Sequence, residues 1–411
     1  MDAVASDTKG PLAVLGGAPA FAEPLHVGRP NLGSITRLNE RIRSTLEQRW
    51  LTNDGPLVRE FESRLCEFLS VRHCIAVANA TLGLEILARA LDLSGEVLVP
   101  AFTFVATAHA LAWLGLTPVP CDIDEATHCL DPAAVEAAVS SRTTAILPVH
   151  LWGEAAPVDR LSETAERHGL RLVFDAAHAF GCSHRGRMIG GFGDAEVFSF
   201  HATKVVNCGE GGAVATSDPQ LAERLRLARN FGFRGYDNVV ALGTNAKMPE
   251  LSAALGLTNL ESFDRFVAWN RANLDTYRRL LDPLPGLRLL PTDTLERRNH
   301  QYVVVEVQPD ECPLTRDQLL RVLHAEGVLA RRYFFPGLHR TPPYVGSPNH
   351  QWSCPVTDRV ASRVLVLPTG TCVTERDVEK IARILEIATA EAGLVRAALV
   401  EPGRTETPPT S

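Results

Sequence analysis

An alternation of short apolar strands with helical stretches restricts the fold of this chain more than any other feature. Seven segments carry strand bias, at 74–79, 96–100, 117–123, 143–151, 171–175, 195–200 and 211–216. Helical spacing of apolar residues separates most of them, as at 81–90, 132–139 and 158–168. Such alternation needs crossover connections, so we expect an α/β fold with a mostly parallel seven-stranded sheet sandwiched by helices. The last two strands follow each other without a helix, which predicts a mixed sheet.

The pattern changes after residue 285, where strands and helices are predicted at 300–307, 315–326, 328–333, 363–367 and 375–390. We interpret this part as a smaller C-terminal α+β domain. The predicted division is an N-terminal arm and helix at 1–50, a large domain at 51–285, a small domain at 286–395 and a mobile tail at 396–411. Further helices are predicted at 36–49, 57–69, 219–230 and 249–281.

Composition excludes several classes of protein. The 411 residues have a formal net charge of −7 and lack a basic run, which argues against nucleic acid as a partner. No apolar run reaches the length of a membrane span, and the first residues are unlike a secretory signal. The nine cysteines are odd in number and form no Cys-x-x-Cys pair, so we expect reduced thiols in the cytoplasm and no metal site.

A lysine follows the predicted strand at 195–200. The chain has only four lysines (Lys9, Lys204, Lys247 and Lys380) among its 41 basic Lys and Arg residues. Arginine cannot lose its proton at working pH, so a lysine retained beside a core strand suggests a need for a neutral, nucleophilic amine. The alternative is an ordinary structural lysine whose stem packs on the core.

Residues at the ends of the other strands could line one ligand site together with this amine, because ligands of parallel sheets bind at the carboxyl edge. Asp175 is a helix cap or the counter-ion of a buried cation. Ala80 and Thr81 open a helix that is capped or binds an anion, and Ser199 is a core serine or a second hydroxyl. Phe104 is core or offers its ring to a planar ligand. Together they predict pyridoxal 5′-phosphate, whose ring nitrogen a buried aspartate keeps protonated.

Six motifs in order make the chain recognisable: Thr52-Asn-Asp-Gly-Pro-Leu-Val-Arg-Glu-Phe-Glu62, Pro100-Ala-Phe-Thr-Phe-Val-Ala-Thr107, Phe174-Asp-Ala-Ala-His-Ala-Phe-Gly181, Phe198-Ser-Phe-His-Ala-Thr-Lys204, Gly209-Glu-Gly-Gly-Ala213 and Gly243-Thr-Asn-Ala-Lys-Met248. From about residue 15 to 390 the chain resembles the DegT/StrS-type nucleotide-sugar aminotransferases, a branch of the fold-type-I pyridoxal-phosphate enzymes. A related branch of dehydratases has histidine in place of the lysine, and Lys204 places this chain outside it.

The resemblance implies roles for single residues. Lys204 matches the Schiff-base lysine, Asp175 the partner of the ring nitrogen, and His178 a residue near the phenolic oxygen of the cofactor. The remaining matches are the stacking Phe104, the phosphate-binding positions Ala80, Thr81 and Ser199, and Asn245, which reaches the phosphate in the neighbouring subunit. That last match implies a homodimer with shared active sites. An alanine precedes Thr81 where the family often has glycine, and Lys247 stands where arginine is common.

The resemblance also implies a reaction. The motifs at 174–181 and 198–204 look most like those of enzymes that move an amino group from L-glutamate to the 4-keto carbon of a dTDP-4-keto-6-deoxyhexose. Enzymes that aminate C3 are close relatives and stay an alternative. Four residues could contact the sugar nucleotide, with a surface or core role as the alternative for each: His201, Arg234, Tyr333 and His339.

Two other kinds of protein remain to be considered. A nicotinamide enzyme needs a Gly-x-Gly-x-x-Gly turn after the first strand, and Asn79-Ala-Thr-Leu-Gly83 is not one. A non-catalytic regulator or sugar-binding protein on the same scaffold is the second alternative, although Lys204 and Asp175 together favour catalysis.

Overall fold

The computed structural model describes residues 11–291, 295–345 and 352–400. Its strands are β1 Leu25–His26, β2 His73–Val77, β3 Glu96–Pro100, β4 Thr117–Cys121, β5 Thr143–Ile146, β6 Arg171–Asp175, β7 Ser183–His184, β8 Arg187–Met188, β9 Ala195–Ser199, β10 Gly212–Thr216, β11 Leu287–Leu289, β12 Val303–Val307, β13 Val328–Leu329 and β14 Val364–Leu367.

The helices are α1 Ile35–Gln48, α2 Pro56–Leu69, α3 Ala80–Ala90, α4 Ala106–Trp113, α5 Pro132–Ala138, α6 Val158–His168, α7 Pro219–Arg229, α8 Glu250–Leu260, α9 Phe263–Leu281, α10 Arg316–Ala325, α11 Pro355–Arg363, α12 Glu375–Ala390 and α13 Ala392–Val400. Two short 3-10 helices cover Ala13–Leu15 and Leu338–Arg340.

A seven-stranded sheet with the order β2-β10-β9-β6-β5-β3-β4 forms the centre of the larger part. All neighbouring strands are parallel except that β10 is antiparallel to both β9 and β2. The predicted α/β class and the mixed, mostly parallel sheet are therefore confirmed. Successive residues of a strand point to opposite faces, so Phe174 and Phe198 enter one apolar layer while Val173 and Val197 enter the other.

A second, antiparallel sheet with the order β11-β12-β14 forms the smaller part. Helix α9 links the two cores, because Phe266 packs in the larger one and Tyr277 and Leu281 pack in the smaller one. The N-terminal arm also joins the smaller part. Strand β1 pairs with β13, and the Glu326 carboxylate accepts the backbone N–H groups of Ala13 and Ala20.

The structure corrects several predicted elements. Residues 249–281 form two helices, α8 and α9, and the apolar spacing hid the break between them because α8 is buried on most of its surface. The strand predicted from 300 starts at Val303, since His300 has a φ of 49° and leaves the extended region. The strand predicted at 328–333 ends at Leu329.

Three helices were not predicted, namely α4, α11 and α13. Helix α13 crosses residue 396, where the mobile tail was expected to begin, and residues 401–411 lie outside the described part of the chain. Within the residues that the structure describes, no helix has both the length and the apolar character needed to cross a membrane. The same residues contain no group of three His, Cys, Asp or Glu side chains suited to a metal ion.

Candidate active site

The turn after β9 places Lys204 at the carboxyl edge of the large sheet. Its backbone N–H donates to the carbonyl of His201, which closes the turn. Its Nζ donates to the hydroxyl of Tyr302 at 3.1 Å. Burial lowers the pKa of Lys204 to about 8, and the nearby Asp175 carboxylate opposes that effect. A substantial fraction of the amine is therefore neutral near physiological pH.

Asp175 is the last residue of β6, and its side chain is buried. One carboxylate oxygen accepts the hydroxyl of Thr107 at 2.9 Å, and the other accepts the N–H of Ala177 at 3.0 Å. Burial raises the pKa of Asp175, whereas these two hydrogen bonds and the Lys204 amine favour the charged form. The arrangement suits a carboxylate that receives a cationic N–H from a ligand.

His178 lies three residues further along and is also buried. Its ring lies 4.3 Å from the ring of Tyr302, measured between centroids, and its Nδ1 has no hydrogen-bond partner among the described residues. Burial, together with the Lys204 amine, holds the pKa of His178 well below its usual range, so the imidazole is neutral. A neutral imidazole with one unpaired buried nitrogen can form a hydrogen bond with a polar atom of a ligand.

The start of α3 lies beside the same edge. Asn79 caps the helix by accepting the N–H of Leu82 at 2.9 Å, and the N–H groups of Ala80 and Thr81 lie between the capping residue and Leu82. A helix start leaves its first N–H groups without partners in the helix, which favours an anion. Ser199, the last residue of β9, is buried, and its hydroxyl accepts the N–H of His201 at 3.4 Å.

Phe104 follows β3 and is 58% exposed, although the two residues before it, Phe102 and Thr103, are buried. The structure therefore does not place Phe104 in the core. A large exposed ring at the ligand-binding edge of the sheet is available to stack on a planar group.

An aromatic cluster stands beside Lys204 and was largely missed from the sequence. Its members are Trp152, Tyr302, Tyr333 and Phe334. The ring centroids of Trp152 and Phe334 are 5.5 Å apart with nearly parallel planes, and those of Trp152 and Tyr302 are 5.3 Å apart. Only Tyr333 was a candidate beforehand. The available signal was the density of aromatic residues in Tyr333-Phe-Phe335, which does not reveal that Trp152 and Tyr302 join it.

The other residues proposed for the sugar nucleotide occupy different surroundings. His201 is exposed, and its Nδ1 lies 2.9 Å from the Thr203 hydroxyl. Arg234 is exposed and pairs with Glu223 on α7. His339 is buried, and its Nε2 lies 3.0 Å from a carboxylate oxygen of Asp358, so packing in the smaller part already uses one of its nitrogens.

Asn245, the predicted contact to a neighbouring subunit, is exposed at the end of the segment 231–244. Its backbone forms an isolated bridge with Asn230. Lys247, two residues further on, donates to the side-chain oxygen of Asn230 at 3.0 Å.

Comparison with known proteins agrees with this geometry. The DegT/DnrJ/EryC1/StrS aminotransferase family matches residues 34–386. The chain belongs to this family. An Escherichia coli relative named dTDP-4-amino-4,6-dideoxy-D-glucose transaminase is 33% identical over 364 residues, which are 87% of this chain and 97% of the relative.

Two further comparisons extend the range of relatives. A Streptomyces venezuelae protein named dTDP-3-amino-3,4,6-trideoxy-alpha-D-glucose transaminase is 36% identical over 321 residues, 77% of this chain and 83% of that protein. The crystal structure of DesI in the presence of its TDP-sugar product superposes with a TM-score of 0.91 at 49% identity, covering 95% of this chain and 99% of DesI.

The family assignment decides between the alternatives raised by the sequence. The chain is an aminotransferase that depends on pyridoxal 5′-phosphate, with the predicted fold-type-I architecture, and it is neither a nicotinamide enzyme nor a non-catalytic binding protein. The residues present fit this cofactor. His178 has an unpaired buried Nδ1, and the ring of Phe104 is exposed. The buried Asp175 carboxylate already accepts two hydrogen bonds, and each of its oxygens has a second lone pair for the cationic N–H of a flat ring.

The phosphate side fits as well. A Cβ added to Gly212 would lie 2.8 Å from the backbone nitrogen of Ala80, so the absence of a side chain there lets β10 approach the start of α3. The N–H groups of Ala80 and Thr81 and the Ser199 hydroxyl would hold the phosphate.

Proposed function

We propose that this enzyme moves an amino group from L-glutamate to the 4-keto carbon of a dTDP-4-keto-6-deoxyhexose, giving a dTDP-4-amino-4,6-dideoxy sugar. The observation that carries the proposal is the likeness to DesI at 49% identity over nearly the whole chain, since DesI was crystallised with its TDP-sugar product. The names of the Escherichia coli and Shigella dysenteriae relatives add the 4-amino position.

In the proposed mechanism the bound cofactor acts as an electron sink when the proton leaves the carbon that bears the amino group. Lys204 is the base that would remove this proton and return it to the cofactor carbon on the other side of the amino nitrogen. Burial favours the role, because a pKa of about 8 makes a neutral amine available and leaves its conjugate acid able to give the proton back.

The other residues hold the ring in place for that transfer. Asp175 keeps the ring nitrogen protonated, and the hydroxyl of Thr107 and the N–H of Ala177 orient its two carboxylate oxygens. His178 stays neutral, and its unpaired nitrogen would be available to the ring oxygen of the bound cofactor. Phe104 would cover one ring face of the bound cofactor and exclude water from it.

The sugar nucleotide is proposed to bind beside the aromatic cluster formed by Trp152, Tyr302, Tyr333 and Phe334. Aromatic faces suit the apolar side of a deoxyhexose, and the cluster stands next to Lys204. His201 and Arg234 are exposed and could meet the charged part of a nucleotide. His339 could do so only if it gives up Asp358 or uses its second nitrogen.

Amination at C3 is the second candidate function. The Streptomyces venezuelae relative named for a 3-amino sugar is as similar to this chain, residue for residue, as the relatives named for 4-amino sugars. The proposal for C4 therefore rests on the two relatives named for 4-amino sugars, which align over 87% and 84% of this chain, against 77% for the relative named for a 3-amino sugar.

We further propose a homodimer in which Asn245 of each subunit completes the phosphate site of the other. The exposed position of Asn245 supports this arrangement. The proposed location is the cytoplasm, which the nine unpaired cysteines favour because a reducing compartment keeps thiols free.

The deciding experiment supplies L-glutamate with a panel of dTDP-3-keto and dTDP-4-keto sugars and measures 2-oxoglutarate. NMR of the product then locates the new amine. Turnover of 4-keto sugars alone supports the proposal, and turnover of 3-keto sugars alone replaces it with the C3 function. Lys204→Ala serves as the blank. If no sugar is turned over, glutamate is added without sugar. Loss of the visible cofactor band then shows that the donor is correct and the acceptor is wrong, and a band that stays shows that the donor is wrong.

A further inference from the structure

The hydroxyl of Tyr302, from the smaller part of the molecule, contacts the amine of Lys204, which belongs to the larger part. Tyr302 directly precedes β12 of the three-stranded sheet, whereas Lys204 follows β9 of the seven-stranded sheet. The Tyr302 hydroxyl accepts the hydrogen bond from Lys204 Nζ at 3.1 Å, and Nζ lies 5.8 Å from the centroid of the ring. Within the described part of the chain this hydroxyl is the one acceptor that the structure gives to the Lys204 amine.

The residues before Tyr302 bind the loop that carries His178. The side-chain amide of Asn299 donates to the backbone carbonyls of His178 at 3.0 Å and Phe180 at 3.1 Å. Asn299 itself is fully buried. This segment of the chain is therefore fixed against the loop that follows Asp175.

Gln301 binds the other loop, on both sides of Lys204. Its side-chain oxygen accepts the N–H of Val205 at 3.0 Å, and its side-chain nitrogen donates to the carbonyl of Thr203 at 3.2 Å. The neighbouring Tyr302 thus approaches the lysine from a backbone that is hydrogen-bonded to the lysine's own backbone neighbours. These hydrogen bonds hold the two backbone segments together and so set the distance between the Tyr302 hydroxyl and the Lys204 amine.

The chemistry of a phenol suits an amine that must gain and lose a proton. Burial raises the pKa of Tyr302 well above its usual range, and Tyr333 and Asp175 add to that effect, so the hydroxyl stays protonated. A protonated phenol accepts a hydrogen bond from an ammonium and donates one to a neutral amine. A carboxylate in the same place would only accept, and it would hold the lysine charged.

We propose that Tyr302 is the positioning residue that receives the free amine of Lys204 and aims it at the reacting carbon in both protonation states of the lysine. The proposal rests on the role of Lys204 in the proposed function, but not on the identity of the sugar. Besides Tyr302, the titratable groups that face the amine are Asp175 on β6 and His178 on the following loop.

Tyr302→Phe removes the hydroxyl and keeps the ring. The bond from an ammonium to a neutral acceptor is stronger than the bond between two neutral groups, so its loss disfavours the charged lysine more than the neutral one. We expect the pKa of Lys204 to fall by about one unit. We also expect kcat to fall about tenfold at little cost in KM, because the change affects the aim of the base rather than the binding of substrate.

The lysine pKa can be read directly, because the chain has only four lysines. The full-length enzyme is labelled with [13C]lysine and loaded with pyridoxamine phosphate, which leaves the Lys204 amine free. The Lys204 signal is assigned from Lys204→Ala and followed with pH by NMR. Tyr277→Phe is the matched control: Tyr277 is a buried tyrosine whose hydroxyl donates to the carbonyl of Pro368, away from the site. The control should lose thermal stability and leave the Lys204 titration unchanged.

A second measurement leaves Tyr302 in place. The chain has five tyrosines, so 3-fluorotyrosine gives five 19F signals. The signal of Tyr302 should shift as Lys204 titrates and lose that shift in Lys204→Ala. An unchanged Lys204 pKa together with an unchanged kcat in Tyr302→Phe would overturn the proposal. A Tyr302 19F shift that stays constant while Lys204 titrates would also overturn it. If no keto-sugar is turned over but the two side chains titrate together, the proposed sugar reaction fails and the Tyr302 contact stands.

Discussion

At Lys204 two opposing effects set the state of one amine. Burial lowers its pKa and the Asp175 carboxylate raises it, and the outcome is a pKa of about 8 instead of the usual value above 10. Arginine in that position would stay charged under every condition of interest. Arginine occupies nearly all the other basic positions of the chain, which supports the proposal that Lys204 acts in its neutral form.

Lys204→Ala tests this role. We expect the rate to fall by at least about 10³-fold, because the general base and the attachment point of the cofactor are both removed. The visible band of the lysine-linked cofactor should also disappear. Lys380→Ala is the control, since Lys380 lies on α12 in the smaller part and should leave rate and spectrum unchanged. Normal turnover by Lys204→Ala would disprove the assignment.

The pH dependence follows from the direction of the same pKa shift. The base must be neutral, so the rate of the proton-transfer step should rise as pH increases through about 8 and then level off. In Asp175→Asn the carboxylate no longer raises the pKa of Lys204, so the residual rate should reach its plateau at a lower pH. Single-turnover rates with glutamate between pH 6 and 10 measure both profiles. A midpoint that moves upward in Asp175→Asn would contradict the proposed coupling.

At the scale of elements, the start of α3 and strand β10 approach each other closely at the proposed phosphate site. Gly212 permits the approach: an added Cβ would lie 2.8 Å from the nitrogen of Ala80 and 2.9 Å from the carbonyl oxygen of Phe198, both backbone atoms. Backbone cannot move aside as a flexible side chain can, so a methyl group there must push the helix start away from the strand.

Gly212→Ala should therefore weaken cofactor binding and lower the melting temperature of the loaded enzyme. Gly393→Ala is the matched control, because its added Cβ meets no atom within 4 Å and it lies in helix α13. There the same exchange should stabilise the protein by about 0.5–1 kcal/mol through helix propensity. The measurements are cofactor titration by fluorescence and thermal unfolding. Equal cofactor affinity in both variants would show that the helix start does not hold the phosphate.

The sequence located the elements of the large sheet and the residues at their carboxyl ends, because parallel strands bring such residues to one edge. It could not locate Tyr302, which is separated from Lys204 by 98 positions and comes from the other sheet. Strand periodicity says which face a residue occupies, but not which part of another domain packs against it. The same limit hid the participation of Trp152 and the buried contact between His339 and Asp358.

At the scale of the whole molecule, one subunit leaves a group of apolar side chains uncovered on the segment 231–244. Phe231, Tyr236, Val239 and Leu242 are 46%, 97%, 60% and 82% exposed. Exposed apolar residues concentrated on one segment are typical of surfaces that contact another chain. Asn245 directly follows this segment and is also exposed, so a second copy of the chain that covered the segment would contact Asn245 as well. These positions support the proposed exchange of phosphate-binding residues between two copies.

Mixed dimers of two inactive variants test that exchange. If each site combines Lys204 of one subunit with Asn245 of the other, a dimer of Lys204→Ala with Asn245→Asp has one site with both residues intact. The second site of that dimer carries both substitutions. Random pairing should thus restore about a quarter of the wild-type activity, because half of the dimers are mixed and one of their two sites works. Co-expression with two different affinity tags isolates the mixed species. If Asn245 serves its own subunit instead, every site contains one substitution, and co-expression will restore no activity.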